Sequence, residues 1–203
     1  MHIVDGALST PVLVSGAVLT AIGVYVGLKK MDYDHLPMVG ILASVFFVAS
    51  YIHMPIGFSS VHLIMNGLLG ILIGWVAFPA FLVALLLQAI FFGFGGILVL
   101  GVNTLNIALP AVLMYYLCYK GVRSDSAKVA AIWGAVGGAL SILITALMVA
   151  GALALSGESF MLAAKAVVPA HIPIMIIEAF VSYFAVYLIH RVKPEAIDWE
   201  LEK

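Results

Sequence analysis

The sequence predicts an all-α, polytopic membrane protein, a bundle of about seven transmembrane helices forming a single domain over residues 1–203. Three observations predict it. Apolar residues make up 65% of the chain and charged residues only 9%, far from the roughly half and one quarter of soluble domains. The apolar residues are gathered into runs, most of which approach the about 20 residues a helix needs to cross a bilayer. The cationic residues gather in alternate connections, as the positive-inside rule requires of a chain threading back and forth.

The runs fall at about 11–28, 36–52, 61–77, 79–95, 98–119, 128–155 and 166–190. Lys29 and Lys30, then Lys120, Arg123 and Lys128, then Arg191, Lys193 and Lys203 mark connections one and five and the tail as cytoplasmic. An odd number of spans then puts the N-terminus outside and the C-terminus in the cytoplasm. The nine Lys and Arg nearly balance ten Asp and Glu, so bulk charge gives no reason to expect a nucleic-acid partner. A lone cysteine, Cys118, excludes an intrachain disulfide and a cysteine-based metal site.

In chain order, the first run is expected to stay in the mature protein and not to act as a secretory signal, because its basic residues follow the apolar core instead of preceding it. Gly16, Ala17, Ala21 and Gly23 give it a face for close helix contact, and His35 reads as a solvated loop residue. After the second run, Pro55 and Gly57 stop the helix and Ser60 is expected to cap the third. His62 would then sit in the first helical turn, where the helix dipole keeps its ring neutral. Asn66 would follow one turn later on the same face. Gly70 and Gly74 match a small-residue contact pattern. The stretch from Gln88 to Asn106, with its glycines, Asn103 and Asn106, predicts irregular backbone buried in protein or lining a cavity. It lacks the Lys and Ser/Thr of a phosphate loop. In the last run, His171 and Glu178 are two turns apart on one face. Ionisable groups at membrane depth point to function, and three roles stay open: a further metal contact, a His–Glu element that transmits substrate status, or a structural pair.

The strongest chemical signal precedes the first run. Met1 is expected to be retained, because His2 is bulky, and the chain then begins as a chelate. The Met1 amine, the His2 backbone nitrogen and a His2 ring nitrogen can fill three positions around one divalent ion. Nickel, cobalt, copper and zinc take such donors. His62 is the candidate fourth ligand, and Asp5, Asn66, Asn103, Asn106, His171 and Glu178 are candidates to support the ligands by hydrogen bonding.

Met1 to Gly6, Gly57 to His62, Gln88 to Asn106, and Ala170 to Pro173 with Glu178 resemble the cobalt/nickel substrate-capture proteins of energy-coupling-factor transporters, the CbiM/NikM group. The resemblance covers essentially the whole chain. It implies Ni²⁺ or Co²⁺ as transported ion, held by the Met1 amine, the His2 amide and imidazole and His62, and it implies no catalytic residue and no resident cofactor. It further implies a transmembrane coupling protein, cytoplasmic ABC-type ATPases and a small accessory membrane protein as partners, in the cell (inner) membrane of a prokaryote. Val4 stands where the group commonly has Pro, and Phe94 where an acidic residue is common.

Two other readings compete. A metal-dependent intramembrane hydrolase would need an open coordination position and a general base, typically on a His-Glu-x-x-His helix, and that motif is absent from the sequence. A purely structural membrane subunit leaves Met1, His2 and His62 without a purpose.

Overall fold

The computed structural model describes residues 3–51, 53–56 and 59–197. Helices dominate it: α1 (Thr10–Lys29), α2 (Leu36–Ala49), α3 (Asn66–Ile73), α4 (Ala77–Phe92), α5 (Leu100–Val122), α6 (Ala127–Ala154) and α7 (Met161–Val192). Between α2 and α3 the strands β1 (His53–Ile56) and β2 (Ser59–His62) form an antiparallel hairpin with His53 opposite His62. Among the described residues, five stretches are long and apolar enough to cross a membrane: α1, Asn66–Phe92, which is broken at Gly74, α5, α6 and Glu158–Val192. The chain is a polytopic membrane protein.

Its outer surface is what lipid requires. α1 buries only a stripe, Gly16, Thr20, Gly23 and Gly27, and turns Val14, Val18, Ile22, Tyr25 and Leu28 outward. The small residues of that stripe are there for close approach. A side chain at Gly16 would collide with Val102 of α5, and one at Gly27 with the Trp75 carbonyl and Pro79. Thr20 completes the seam by donating its hydroxyl to the Gly101 carbonyl at 2.6 Å. α3 is instead buried all round, as befits a helix walled off from lipid by its neighbours.

The third predicted run differs most from expectation. Ser60 does not cap a helix. It lies in β2, and α3 begins only at Asn66. α3 therefore has eight residues, about 12 Å at 1.5 Å per residue, well short of the about 30 Å hydrocarbon core. It ends at Gly74, whose φ of 49° and ψ of −125° leave helical space and open a 3-10 turn, Gly74–Val76. The chain reverses there. Asn66 and Gly70 lie against Ile107 and Ala111, so α3 runs with α5. α4 runs against α1, since Gly23 meets Phe78 while Gly27 meets Trp75 and Pro79.

The irregular backbone predicted from Gln88 to Asn106 is confined to 93–99, where Gly93, Gly95 and Gly96 have positive φ. Asn103 and Asn106 are helical and buried in α5. One face of the bundle carries Asp5, Ser9, the start of α5 and the end of α6, joined by Ser9 N–H donating to Ser156 Oγ at 3.1 Å. The opposite face carries the α5–α6 connection and the end of α7, joined by His190 Nε2 and the Ser124 carbonyl at 2.8 Å.

Candidate metal centre

Met1 and His2 lie outside the described residues, so the site is built from what surrounds them. Ile3, directly after His2, is buried and gripped by one side chain. Its N–H donates to Asn103 Oδ1 at 3.1 Å, and the Asn103 amide nitrogen donates to the Ile3 carbonyl at 3.0 Å. A primary amide presents one donor and one acceptor side by side, so Asn103 pairs with the chain as a neighbouring strand would. Two residues on, Asp5 Oδ1 accepts the N–H of Val99 at 3.1 Å. Val99 caps the start of α5, where a carboxylate is favoured by the exposed amides and the helix dipole. Gly96 lies directly against that carboxyl group, which leaves no room for a Cβ. The glycine-rich loop is thus shaped around the N-terminal segment, and Gly6, at φ 86°, turns the chain toward α1.

Replacing Asn103 with alanine removes both bonds to Ile3 and is expected to weaken metal binding by about 10- to 100-fold, the usual cost of losing a group that orients ligands. Titration of the folded variant with nickel checks it, and wild-type affinity would contradict it.

His62 ends β2 and is only 4% exposed. Its Nδ1 lies 3.0 Å from the Leu63 carbonyl. Donation from Nδ1 puts the lone pair on Nε2, the form that can ligate a metal. Burial holds the ring below the ordinary histidine range, against a smaller opposing effect of the Leu63 carbonyl. A depressed value favours the uncharged ring, so His62 is neutral at pH 7. The expected outcome stands with a different cause: desolvation, rather than the dipole of a helix to which His62 does not belong.

After His62 the chain crosses the interior without secondary structure, and Leu63, Ile64 and Met65 are all buried. Such backbone is tolerated at membrane depth only where protein satisfies its polar groups. Glu178 does so. Its Oε1 accepts the N–H groups of both Ile64 and Met65 at 2.6 Å, while Met65 takes the left-handed conformation at φ 56°. Losing that acceptor would strand two buried amides at about 1–3 kcal/mol each.

The other expected residues assemble around this segment. Asn66 donates to the Ile107 carbonyl and to Thr145 Oγ1, both at 3.0 Å, tying α3 to α5 and α6. Ile107 is one helical turn along α5 from Asn103, so the N-terminal segment and the His62 segment are anchored to neighbouring turns of one helix. Asn106 is buried beside them and its amide nitrogen has no partner among the described residues. His171 is buried, with Nδ1 2.6 Å from the Val167 carbonyl. Glu178 binds backbone and not His171. Among the described residues, no three His, Cys, Asp or Glu side chains converge on a metal position. Thr145 was missed by sequence reasoning, since one threonine in an apolar helix carries no signal. The Glu178 contacts were equally illegible, because they go to main-chain amides.

Comparison with known proteins gives one answer. Residues 2–196 match the family model CbiM, described as the cobalt uptake substrate-specific transmembrane region. A relative from Haemophilus influenzae named as a metal transport protein is 40% identical, covering 98% of this chain and 97% of its own. A fused nickel transport protein NikMN from Rhodobacter capsulatus is 39% identical over 63% of this chain, which spans 40% of that longer protein. A crystal structure of a transition metal transporter superposes with a TM-score of 0.68 at 26% identity, covering 95% of this chain and 93% of that one.

Proposed function

Since the chain belongs to the CbiM family of cobalt-uptake substrate-specific transmembrane regions, we propose that it captures Ni²⁺ or Co²⁺ through four nitrogen donors and hands the ion to an ATP-driven uptake machine. The donors are the Met1 amine, the His2 amide and imidazole, and His62 Nε2. One observation carries the reading: Asn103 clasps Ile3 at the outer end of α5, one turn from the Ile107 carbonyl that anchors Asn66. Ile3 follows His2 directly in the chain, and His62, buried and neutral, precedes Asn66 by four residues.

By the positive-inside rule the face bearing Asp5 and Asn103 is external, because Lys29, Lys120, Arg123, Lys128 and Arg191 belong to the opposite ends of their helices. The ion then arrives from outside and leaves toward the cytoplasm. Energy must come from partners, a transmembrane coupling protein with cytoplasmic ABC-type ATPases and a small accessory membrane protein, since the sequence has no phosphate-binding loop. The hydrolase reading is set aside, because the relatives are transport proteins.

Proteoliposomes test the division of labour. Vesicles holding this chain alone are expected to bind radioactive nickel or cobalt without ATP-dependent accumulation, and adding the coupling proteins is expected to start it. Sustained ATP-driven uptake with this chain as the only protein would contradict the proposal.

A further inference from the structure

We infer that Glu178 is the positioning residue for His62. This inference rests on the metal-capture reading above and names a residue that sets its geometry. Glu178 lies deep in α7 and is fully buried, yet its carboxylate reaches across to another segment and binds the two consecutive amides that follow Leu63. β2, which ends in His62, packs against α7.

The reason such a contact is needed lies in the local chain. His62 sits at the end of a two-stranded hairpin, and the next three residues belong to no helix or sheet. His62 itself is paired with His53 in the hairpin, but the three residues after it have no ladder of their own, and Leu63 among them takes the Nδ1–H of the ring on its carbonyl. A loosely held ligand loses affinity even when its chemistry is intact. Two bonds at 2.6 Å to one oxygen pin residues 64 and 65, and the backbone of His62 is two residues away. The left-handed Met65, the one non-glycine residue with positive φ among those described, is a conformation that surrounding contacts must hold in place. Glu178 is that contact, for its oxygen takes the N–H of Met65 itself. The carboxylate touches main chain and acts on the ion only through His62.

Three readouts test this in the full-length protein with its native N-terminus. First, without any metal, hydrogen exchange at the amides of Ile64 and Met65 is expected to be slow in the wild type and at least tenfold faster in Glu178→Ala, with α5 and α6 unchanged. Second, Glu178→Ala is expected to weaken nickel binding at least tenfold, and Glu178→Gln, which keeps an acceptor oxygen, is expected to recover most of it. A group that merely stabilised the bundle would lower the melting temperature and leave the affinity of the folded fraction alone.

Third, a double-mutant cycle isolates the route. In a His62→Ala background, Glu178→Ala is expected to cause no further loss, because the side chain it positions is gone. Equal and additive losses would overturn the inference, showing that Glu178 acts on the ion independently of His62. Unchanged exchange at residues 64 and 65 in a folded Glu178→Ala protein would overturn it too. If the wild type binds no metal while exchange responds as described, the metal-capture reading fails and the tether stands.

Discussion

Adding residues in front of Met1 is expected to abolish tight nickel or cobalt binding, whereas a C-terminal tag leaves it intact. An extension turns the α-amine into an amide and moves His2, with its two proposed donors, away from the chain end, so three of the four proposed donors are affected at once. The clasp of Asn103 on Ile3 sharpens the effect, for extra residues must thread out of a corner in which Ile3 is already buried. The same amine makes binding pH-dependent. An α-amine titrates near 8 and an ordinary histidine near 6.5, so protons compete with the ion for Met1 and His2 as pH falls from about 8 to 6. His62 contributes little to that competition, because burial already holds its ring uncharged. Titrations at several pH values on tagged and tag-cleaved protein check both statements, and equal affinity before and after cleavage would remove the amine from the ligand set.

His62→Ala is expected to lower affinity by more than about a hundredfold, about 2.8 kcal/mol or more at 1.4 kcal/mol per tenfold. The fold should survive, because the groups that hold this region are not the His62 ring. They are Asn66 on Ile107 and Thr145, and Glu178 on Ile64 and Met65. The variant also creates a cavity at a buried position, with an expected modest loss of thermal stability. Circular dichroism beside a nickel titration separates the two effects. Wild-type affinity in a folded variant would rule out His62 as a ligand.

Much of the fold was legible because lipid enforces it. Long apolar runs can cross a bilayer only as helices, and the predicted runs agree with α1 and α6 to within one residue at each end and with α7 to within five, each with flanking basic residues. The third run was not legible. Leu63, Ile64 and Met65 are as apolar as any helix, and only a carboxylate more than a hundred residues away allows them to be non-helical. Sequence periodicity cannot register a contact of that range. For the same reason the dipole argument for His62 failed while its neutral ring survived. An imidazole inside an apolar run of this chain is dehydrated, whatever the local backbone. Asn103 was flagged as an asparagine in apolar surroundings, but its partner, the backbone of Ile3, is invisible to any motif because main-chain groups have no letter in the sequence. The glycine-rich loop was legible as irregular backbone, and its purpose became clear once Gly96 was seen against Asp5.

X-ray absorption on the nickel-loaded protein with its native N-terminus tests the central claim most directly. A tetragonal nitrogen site is the geometry that suits Ni(II), and the four proposed donors supply nothing else. The expected spectrum has the edge feature of planar four-coordinate nickel, a first shell of light atoms without sulfur, and outer-shell scattering from two imidazole rings. A six-coordinate, oxygen-rich shell, or scattering from a sulfur ligand such as the Met1 thioether, would contradict the site.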